Sequence, residues 1–531
     1  MTHTETFSDD ERRALAPYFT NLYGPVFALR NLPEVVKGAL FARYSRSPKS
    51  LRRLFLDEFL DQVGDGATMG EVGVQRADKL YERVFDEYGD DSVAQLGGAH
   101  LACEGASNLL TKVLEWGRLM AYLEQSTRYI PYNDRVGGHW RYLVPAELDA
   151  HPLRQRYVDG LDHAFEVYAR WIAPLEAHYR AQHPKQPGDP DGAYKRTIRA
   201  KALDTLRGLL PAATQSNVGL FGSGQAYEAL LLRMRVHPLA EVRQYADLML
   251  AELQQVIPSF LKRVDRPDRG GQWSAYLQAT RDATEALAQR LLAGVVAERC
   301  DEVVLTDFDP DGEVKVVAAA LYAGSDLPDD QLLAVARTLT TEQRAAVLRA
   351  YVGDRQNRRH KPGRAFERTT YRFDVLTDYG AFRDLQRHRM LTLEWQPLSP
   401  QHGYVVADAI EEVGARADWQ EVMEQSANLH AALRAAGLDA VGPYAICMAY
   451  RVRFYMEINA RAAMHMIELR TTPQGHPSYR RVCQTMHRLI AGQAGHGAIA
   501  AAMSFADHSQ VELERLQSER ASEQRRQQRR S

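Results

Sequence analysis

The strongest constraint on how this 531-residue chain folds is that it runs through one order of landmarks twice. In the first half, Trp116-Gly117-Arg118 leads through Glu124 and Ser126 to Arg128-Tyr129. In the second, Arg387-His388-Arg389 leads through Glu394 and Ser399 to Gly403-Tyr404. Each passage is followed by a helix-like run ending in arginine, GSGQAYEALLLR to Arg233 and NARAAMHMIELR to Arg470. A repeat of order over so long a stretch implies a duplicated domain rather than a short-period solenoid. The length allows this, at roughly 100–200 residues per domain, with ample room for a large core.

Composition removes several classes of function. Hydrophobic residues at 45% and charged residues at 25% are ordinary globular usage, which excludes global disorder and fibrous repeats. A net charge of −2 provides no field on the scale nucleic acid requires, so nucleic acid is not an expected partner. No apolar run approaches the roughly 18 residues of a membrane helix. The N-terminal stretch is polar and acidic without a signal-peptide core, so a soluble cytoplasmic protein is expected. Cys103, Cys300, Cys447 and Cys483 lie far apart, with no C-x-x-C pair, and no bound metal is expected.

Between the landmarks, apolar spacing predicts helix through most of the chain to about Leu261. A charged, glycine-containing joint follows at 263–271, then one long alanine-rich helix over Trp273–Glu298. Glu302–Phe308 and Val314–Tyr322 read as two strands around the turn Asp309-Pro310-Asp311-Gly312. The end of the chain is glutamine-, glutamate- and arginine-rich without an apolar face, a solvated tail.

Several residues carry chemistry that the residue types alone leave open. Arg387-His388-Arg389 can converge on one anion, or be a solvated basic turn, the commoner case for such a triplet. Glu124, Ser126 and Arg128 alternate, so an extended segment points all three one way, toward a sugar phosphate or simply toward water. Arg461 and Arg470 lie in an apolar run with Asn459, where a buried guanidinium needs an anion, or a salt bridge to Glu457 or Glu468. Arg207 precedes Leu209-Leu210-Pro211 and can snorkel from a helix end. His237, His388, His465 and His476 form no metal spacing and default to structural roles. Gly222-Ser223-Gly224 lacks the lysine of a phosphate loop and reads as a helix start.

Taken together, the motifs resemble the flavin-dependent thymidylate synthases. That family's signature runs Arg-His-Arg, two residues, Ser, one residue, Asn-Glu, one residue, Ser, one residue, Arg-Tyr, with a later Asn-x-Arg to Leu-Arg segment. The first half matches at Arg118, Glu124, Ser126, Arg128 and Tyr129, and keeps Arg207 and Leu232-Arg233. It has Trp116-Gly117 in place of Arg-His, and Gly222 and Gly224 in place of Asn and Arg. The second half keeps Arg387-His388-Arg389, Asn459, Arg461 and Leu469-Arg470, but loses the Ser-x-Arg-Tyr ending and has Tyr444 where the first half has Arg207. The losses are complementary.

The resemblance implies an α+β fold, helix-rich, with two tandem copies of an antiparallel sheet-and-helix domain. The expected boundaries are 1–262, a linker and long helix at 263–299, a second copy at 300–505, and a tail at 506–531. It implies reductive methylation of dUMP to dTMP, with FAD as cofactor and NADPH and methylenetetrahydrofolate as co-substrates. Alternatives are flavin-dependent modification of another uridine nucleotide, or a catalytically silent paralogue. Arg118, Glu124, Ser126, Arg128 and Arg207 are then expected to hold the nucleotide. Arg387, His388, Arg389, Asn459, Arg461 and His465 are expected to hold the flavin, and Arg470 and Arg233 to meet the uracil. A homodimer forming a pseudo-tetramer, whose halves jointly complete each site, follows as the expected assembly.

Overall fold

The computed structural model describes residues 6–23, 27–44, 47, 49–60, 95–187 and 189–509, so most of the polar tail lies outside the described residues. The chain divides into two compact units. Met1–Ala106, Val113–Glu124 and Asn217–Val295 form one; Ser107–Lys112, Gln125–Ser216 and Val296–Ser531 form the other. Residues 125–216, from the first half of the sequence, thus belong to the same unit as the whole second half.

The first half builds a three-stranded sheet from β1 (Gly98–Ser107), β2 (Met120–Glu124) and β3 (Gln215–Ser223), in the order β1-β3-β2. β2 and β3 are antiparallel, with Met120 opposite Gly222 and Glu124 opposite Val218. The second half builds β4 (Val303–Phe308), β5 (Thr370–Asp378), β6 (Thr392–Trp395) and β7 (Arg451–Asn459), in the order β4-β5-β7-β6. Without β4 the two orders coincide. In each half a helix leaves the first of the shared strands, Asn108–Leu114 after β1 and Tyr379–Gln386 after β5. Another leaves the central strand, Gly224–Arg235 after β3 and Ala460–Arg470 after β7. The fold is α+β and duplicated.

The strands form because their apolar residues alternate. Tyr371, Phe373 and Val375 on β5 and Val452, Phe454, Met456 and Ile458 on β7 are buried. The intervening Arg372, Asp374, Arg453, Tyr455 and Glu457 lie on the other face, where Arg372 pairs with Glu457 (3.3 Å) and Arg453 with Asp374 (3.1 Å). In the same unit the helix Arg154–Gln182 buries Leu161, Phe165, Tyr168, Ile172 and Leu175 at helical spacing. Each such buried side chain contributes about 1.5–3 kcal/mol against exposure.

Three local expectations are corrected. Val314–Tyr322 is helix, not strand, within Gly312–Tyr322; Val314, Val317 and Ala318 share its buried face, and the following alanines favour helix. The long helix after the joint spans Gln272–Leu291 and stops before Gly294, whose φ of 81° only glycine adopts cheaply. Glu124, Ser126 and Arg128 do not share an extended segment. β2 ends at Glu124, and Ser126 C=O accepts from Tyr129 N–H (3.1 Å) and Ile130 N–H (3.2 Å), so the chain turns there.

Candidate functional site

Equivalent stretches of the two halves meet inside the larger unit. Gly208–Ala213, which follows Arg207, pairs with 444–449: Ala212 N–H donates to Ile446 C=O (2.8 Å), Met448 N–H to Leu210 C=O (2.9 Å) and Ala449 N–H to Gly208 C=O (2.9 Å). A Cβ on Gly208 would lie 2.7 Å from the Trp419 ring, so this close approach requires glycine. The pairing holds Arg207, from the first half, against the second half's helices.

Around Arg207 four guanidinium groups gather on two carboxylates. Arg128 pairs with Asp204 (3.0 Å) and donates to Gln474 C=O (3.1 Å) and Tyr479 Oη (3.3 Å). Arg207 reaches Asp204 (3.4 Å) and Asp384 (3.6 Å). Arg387 donates to Asp384 (2.8 Å), and Arg470 reaches the same carboxylate (3.4 Å) and its backbone C=O. Arg470 Nε also donates to His388 Nε2 (3.0 Å), and its guanidinium lies 5.4 Å from the Tyr479 ring centroid. Arg128 and Arg207 come from the first half of the sequence, Arg387, His388 and Arg470 from the second.

The electrostatics follow from this crowding. Burial raises the Asp384 carboxyl, but Arg387, Arg470, Arg207 and Arg128 outweigh it and hold the group ionised far below the usual carboxylate range. Asp204 is likewise raised by burial but held low overall by His476, Arg128 and Arg207. Burial and Arg470 keep His388 neutral, its pKa well below the ordinary value. His476 is pushed down to about 4 by burial and Arg207, against the opposing pull of Asp204 and Asp378. Ser478 N–H donates to His476 Nδ1 (3.2 Å), which leaves the ring proton on Nε2.

A cavity of about 540 Å³ opens beside the cluster, with Asp204, Arg207 and His476 in its wall. Tyr404, Trp419, Asp378 and Arg451 line it further, as does the first turn of the helix Pro477–Gly492, which carries no acidic residue. Its size and its mix of aromatic walls with convergent charged groups of both signs suit a small polar organic molecule.

The residues expected to hold a flavin divide. Asn459 Oδ1 accepts from Ala462 N–H (2.9 Å) and caps the helix Ala460–Arg470. Arg461 pairs with Glu367 (3.2 Å), not with Glu457 or Glu468. Arg389 is exposed. His465 is pushed down to about 4 by burial and by Lys361, Arg358 and Arg470, and Lys361 is lowered by burial, Arg461 and Arg358. These shifts mark His465, Lys361, Arg358 and Arg461 as neighbouring basic side chains. Glu124, Arg118 and Arg233 belong to the other unit, where Arg233 lies 4.8 Å over the Trp116 ring. Ser126 sits in the turn before Arg128, accepting from Arg128 N–H (3.3 Å).

The sequence singled out neither Asp204, Asp384 nor Tyr479, and it left His476 in a structural role. Two of these carried a signal: Asp204-x-x-Arg207 and Asp384-x-x-Arg387 place acid and base one helical turn apart. Among the described residues, no group of His, Cys, Asp and Glu is arranged to hold a metal. Nor is any helix among them long and apolar enough to cross a membrane.

The chain is similar to several known proteins. The thymidylate synthase complementing protein family matches residues 39–259 and again residues 303–494. A UPF0159 protein of Chlamydia muridarum is 39% identical over 522 residues, covering 97% of this chain and 98% of its own. A flavin-dependent thymidylate synthase of Clostridium tetani is 25% identical over 203 residues, covering 38% of this chain and 75% of that protein. A solved UMP/dUMP methylase of Streptomyces cacaoi aligns over 39% of this chain and 97% of its own at 19% identity, with a TM-score of 0.30.

Proposed function

The chain belongs to the thymidylate synthase complementing protein family as a diverged tandem member, and from that premise we propose that it is a flavin-dependent enzyme methylating a uridine nucleotide. The reading names dUMP as substrate, FAD as cofactor, and NADPH and methylenetetrahydrofolate as co-substrates. The observation that carries it is the convergence of Arg128 and Arg207 with Arg470 on Asp204 and Asp384, beside a cavity.

A bound flavin would supply the reducing equivalents. Arg358, Lys361, Arg389, Arg461 and His465 would hold its phosphates by charge-assisted hydrogen bonds. This chain's own residues do the rest. Four guanidiniums against two carboxylates leave positive charge for a nucleotide phosphate, so Arg128 and Arg207 anchor it and fix the base in place. Arg470, oriented by His388 and the Asp384 backbone, stabilises negative charge on the uracil oxygens as C5 becomes nucleophilic. The Asp384 carboxylate keeps these arginines apart and preorganised. A pairing of two chains remains part of the reading, with each larger unit contributing one cluster.

Two readouts test this. The purified protein should show flavin absorbance or bind FAD on titration. Anaerobically, with NADPH, methylenetetrahydrofolate and C5-tritiated dUMP, it should release tritium. A colourless protein that binds no FAD sinks the enzymatic reading and favours a silent paralogue. Flavin reduction without tritium release points to another uridine nucleotide.

A further inference from the structure

The segment 353–363 carries Arg358, Arg359, His360 and Lys361 in succession. Like charges so close repel, and a loop that carries them splays unless something ties it down. Part of the tie is local: Asn357 Oδ1 accepts from Arg359 N–H (2.9 Å), and Asn357 C=O accepts from His360 N–H (3.0 Å). Arg355 supplies the rest. Its Nε donates to His360 C=O (2.5 Å), and its Nη1 and Nη2 each donate to one oxygen of Glu468 at 2.6 Å. Nη1 also donates to Ala502 C=O (2.8 Å). One guanidinium thus ties the loop to the helix Ala460–Arg470, which carries Arg461 and His465.

The Arg355 and Glu468 side chains are 3% and 1% exposed. A buried ion pair adds little to a fold that apolar residues of similar size would not add as well. The first half illustrates this at one of the two positions. Counting back two residues from Arg470 and from Arg233, Glu468 stands where the first half has Leu231, which is fully buried. Packing on that helix therefore does not require a carboxylate. What the pair does is hold the His360 carbonyl, and with it the backbone that aims Arg358 and Lys361. Burial, Lys361 and Arg358 lower His465, and burial, Arg461 and Arg358 lower Lys361, so these groups sit within electrostatic reach of one another. Glu367, an acidic neighbour, is engaged by Arg461 (3.2 Å) and Arg364 (2.9 Å).

We propose that Arg355 is a positioning residue for the cofactor, holding the 353–363 loop so that Arg358 and Lys361 converge with Arg461 and His465 on the pyrophosphate of FAD. The proposal rests on the flavin reading above and deepens it. Arg355 itself touches no part of the cofactor, because Glu468, His360 and Ala502 take up its donors. Its contribution is preorganisation: the phosphate donors are ordered before binding and need not be ordered during it.

The test is fluorescence titration of the full chain with FAD and with riboflavin, which has the same ring system and no phosphate. Two variants are compared with the wild type. Arg355→Met with Glu468→Leu replaces the pair by apolar residues and leaves no buried charge alone. Arg355→Lys keeps a cation for Glu468 but loses the fork that spans Glu468 and His360. Thermal unfolding checks both folds. The wild type should bind FAD at least about tenfold tighter than riboflavin, and each variant should weaken FAD at least about tenfold while riboflavin stays within about twofold. An unchanged FAD affinity in a folded variant, an equal loss for both flavins, or a wild type that binds the two alike overturns the proposal. So does a failure of both variants to fold, which would make the pair structural. A wild type that binds neither flavin defeats the flavin reading as well.

Discussion

The helix after β1 and the helix after β5 start from equivalent caps, Ser107 and Asp378, yet they settle the same structural position by opposite chemistry. In the second half Asp384 stands three residues before Arg387, and Arg470 from the helix after β7 joins them. Counting from the caps, the first half has Val113 in place of Asp384 and Trp116 in place of Arg387. Arg233, the counterpart of Arg470, lies over that tryptophan. An ionic cluster in one copy is a cation–π contact in the other. The outer sheet faces differ in the same sense. β5 and β7 present Arg372, Asp374, Arg453 and Glu457, whereas β2 and β3 present Leu123 and Phe221, which are exposed. Duplication preserved the scaffold and let the polar chemistry segregate to one unit. A buried ionic cluster is a poor way to stabilise a fold, so its place in the larger unit, where arginines of both halves meet, argues for a role beyond stability.

The contrast can be broken most sharply at Asp384. Asp384→Asn leaves Arg207, Arg387 and Arg470 facing one another and should cost about 3–5 kcal/mol in urea unfolding. Asp384→Val with Arg387→Trp imports the first half's solution and should recover much of that loss while weakening nucleotide binding. Recovery of both would detach the cluster from function.

Acid sharpens a feature the copies share. His237-Pro238 precedes the helix Ala240–Leu253 and His476-Pro477 begins the helix Pro477–Gly492, each imidazole Nδ1 accepting at 3.2 Å from the N–H two residues on. Burial, with Arg281 and Arg243, lowers His237 to about 4; burial and Arg207 do the same for His476. Between pH 6.5 and 4 the unfolded chain takes up protons that the folded one refuses, so stability falls as pH falls. Each histidine should account for roughly 3 kcal/mol across that window. Below about pH 4, protonation of Asp384 and Asp204 removes more. Replacing either histidine by asparagine, which keeps an acceptor for the N–H two residues on, should flatten a comparable part of the stability–pH curve. A flat response to one of them would show that the two helix starts are not equivalent.

The smallest effects should come from the first half's own contact and caps. Arg233→Gln loses the contact with Trp116 and should cost about 0.5–1 kcal/mol, measured by thermal unfolding, with nucleotide affinity unchanged within about twofold. Ser107→Ala removes a cap and should cost about 1 kcal/mol.

Much of this was legible in the sequence. The repeated order of landmarks anticipated the matching sheet orders; of the second-half arginines it singled out, Arg387 and Arg470 meet on Asp384, whereas Arg389 is exposed and Arg461 pairs with Glu367. Local spacing misread Val314–Tyr322, because a short valine-rich run has no period that separates strand from helix until its alanines are weighed. It also drew Glu124, Ser126 and Arg128 as one face, because a turn without glycine or proline leaves little trace. The carboxylates were missed for a different reason: what matters about Asp204 and Asp384 is which partners burial gives them.

A double-mutant cycle on nucleotide affinity tests the central claim, that one site draws on both halves. Arg128→Gln, Arg470→Gln and the double variant would be titrated with uridine nucleotide. Each single change should weaken binding more than about tenfold, and the double variant should lose less than the product of the two. An effect confined to one of them, or two effects that multiply cleanly, would contradict it.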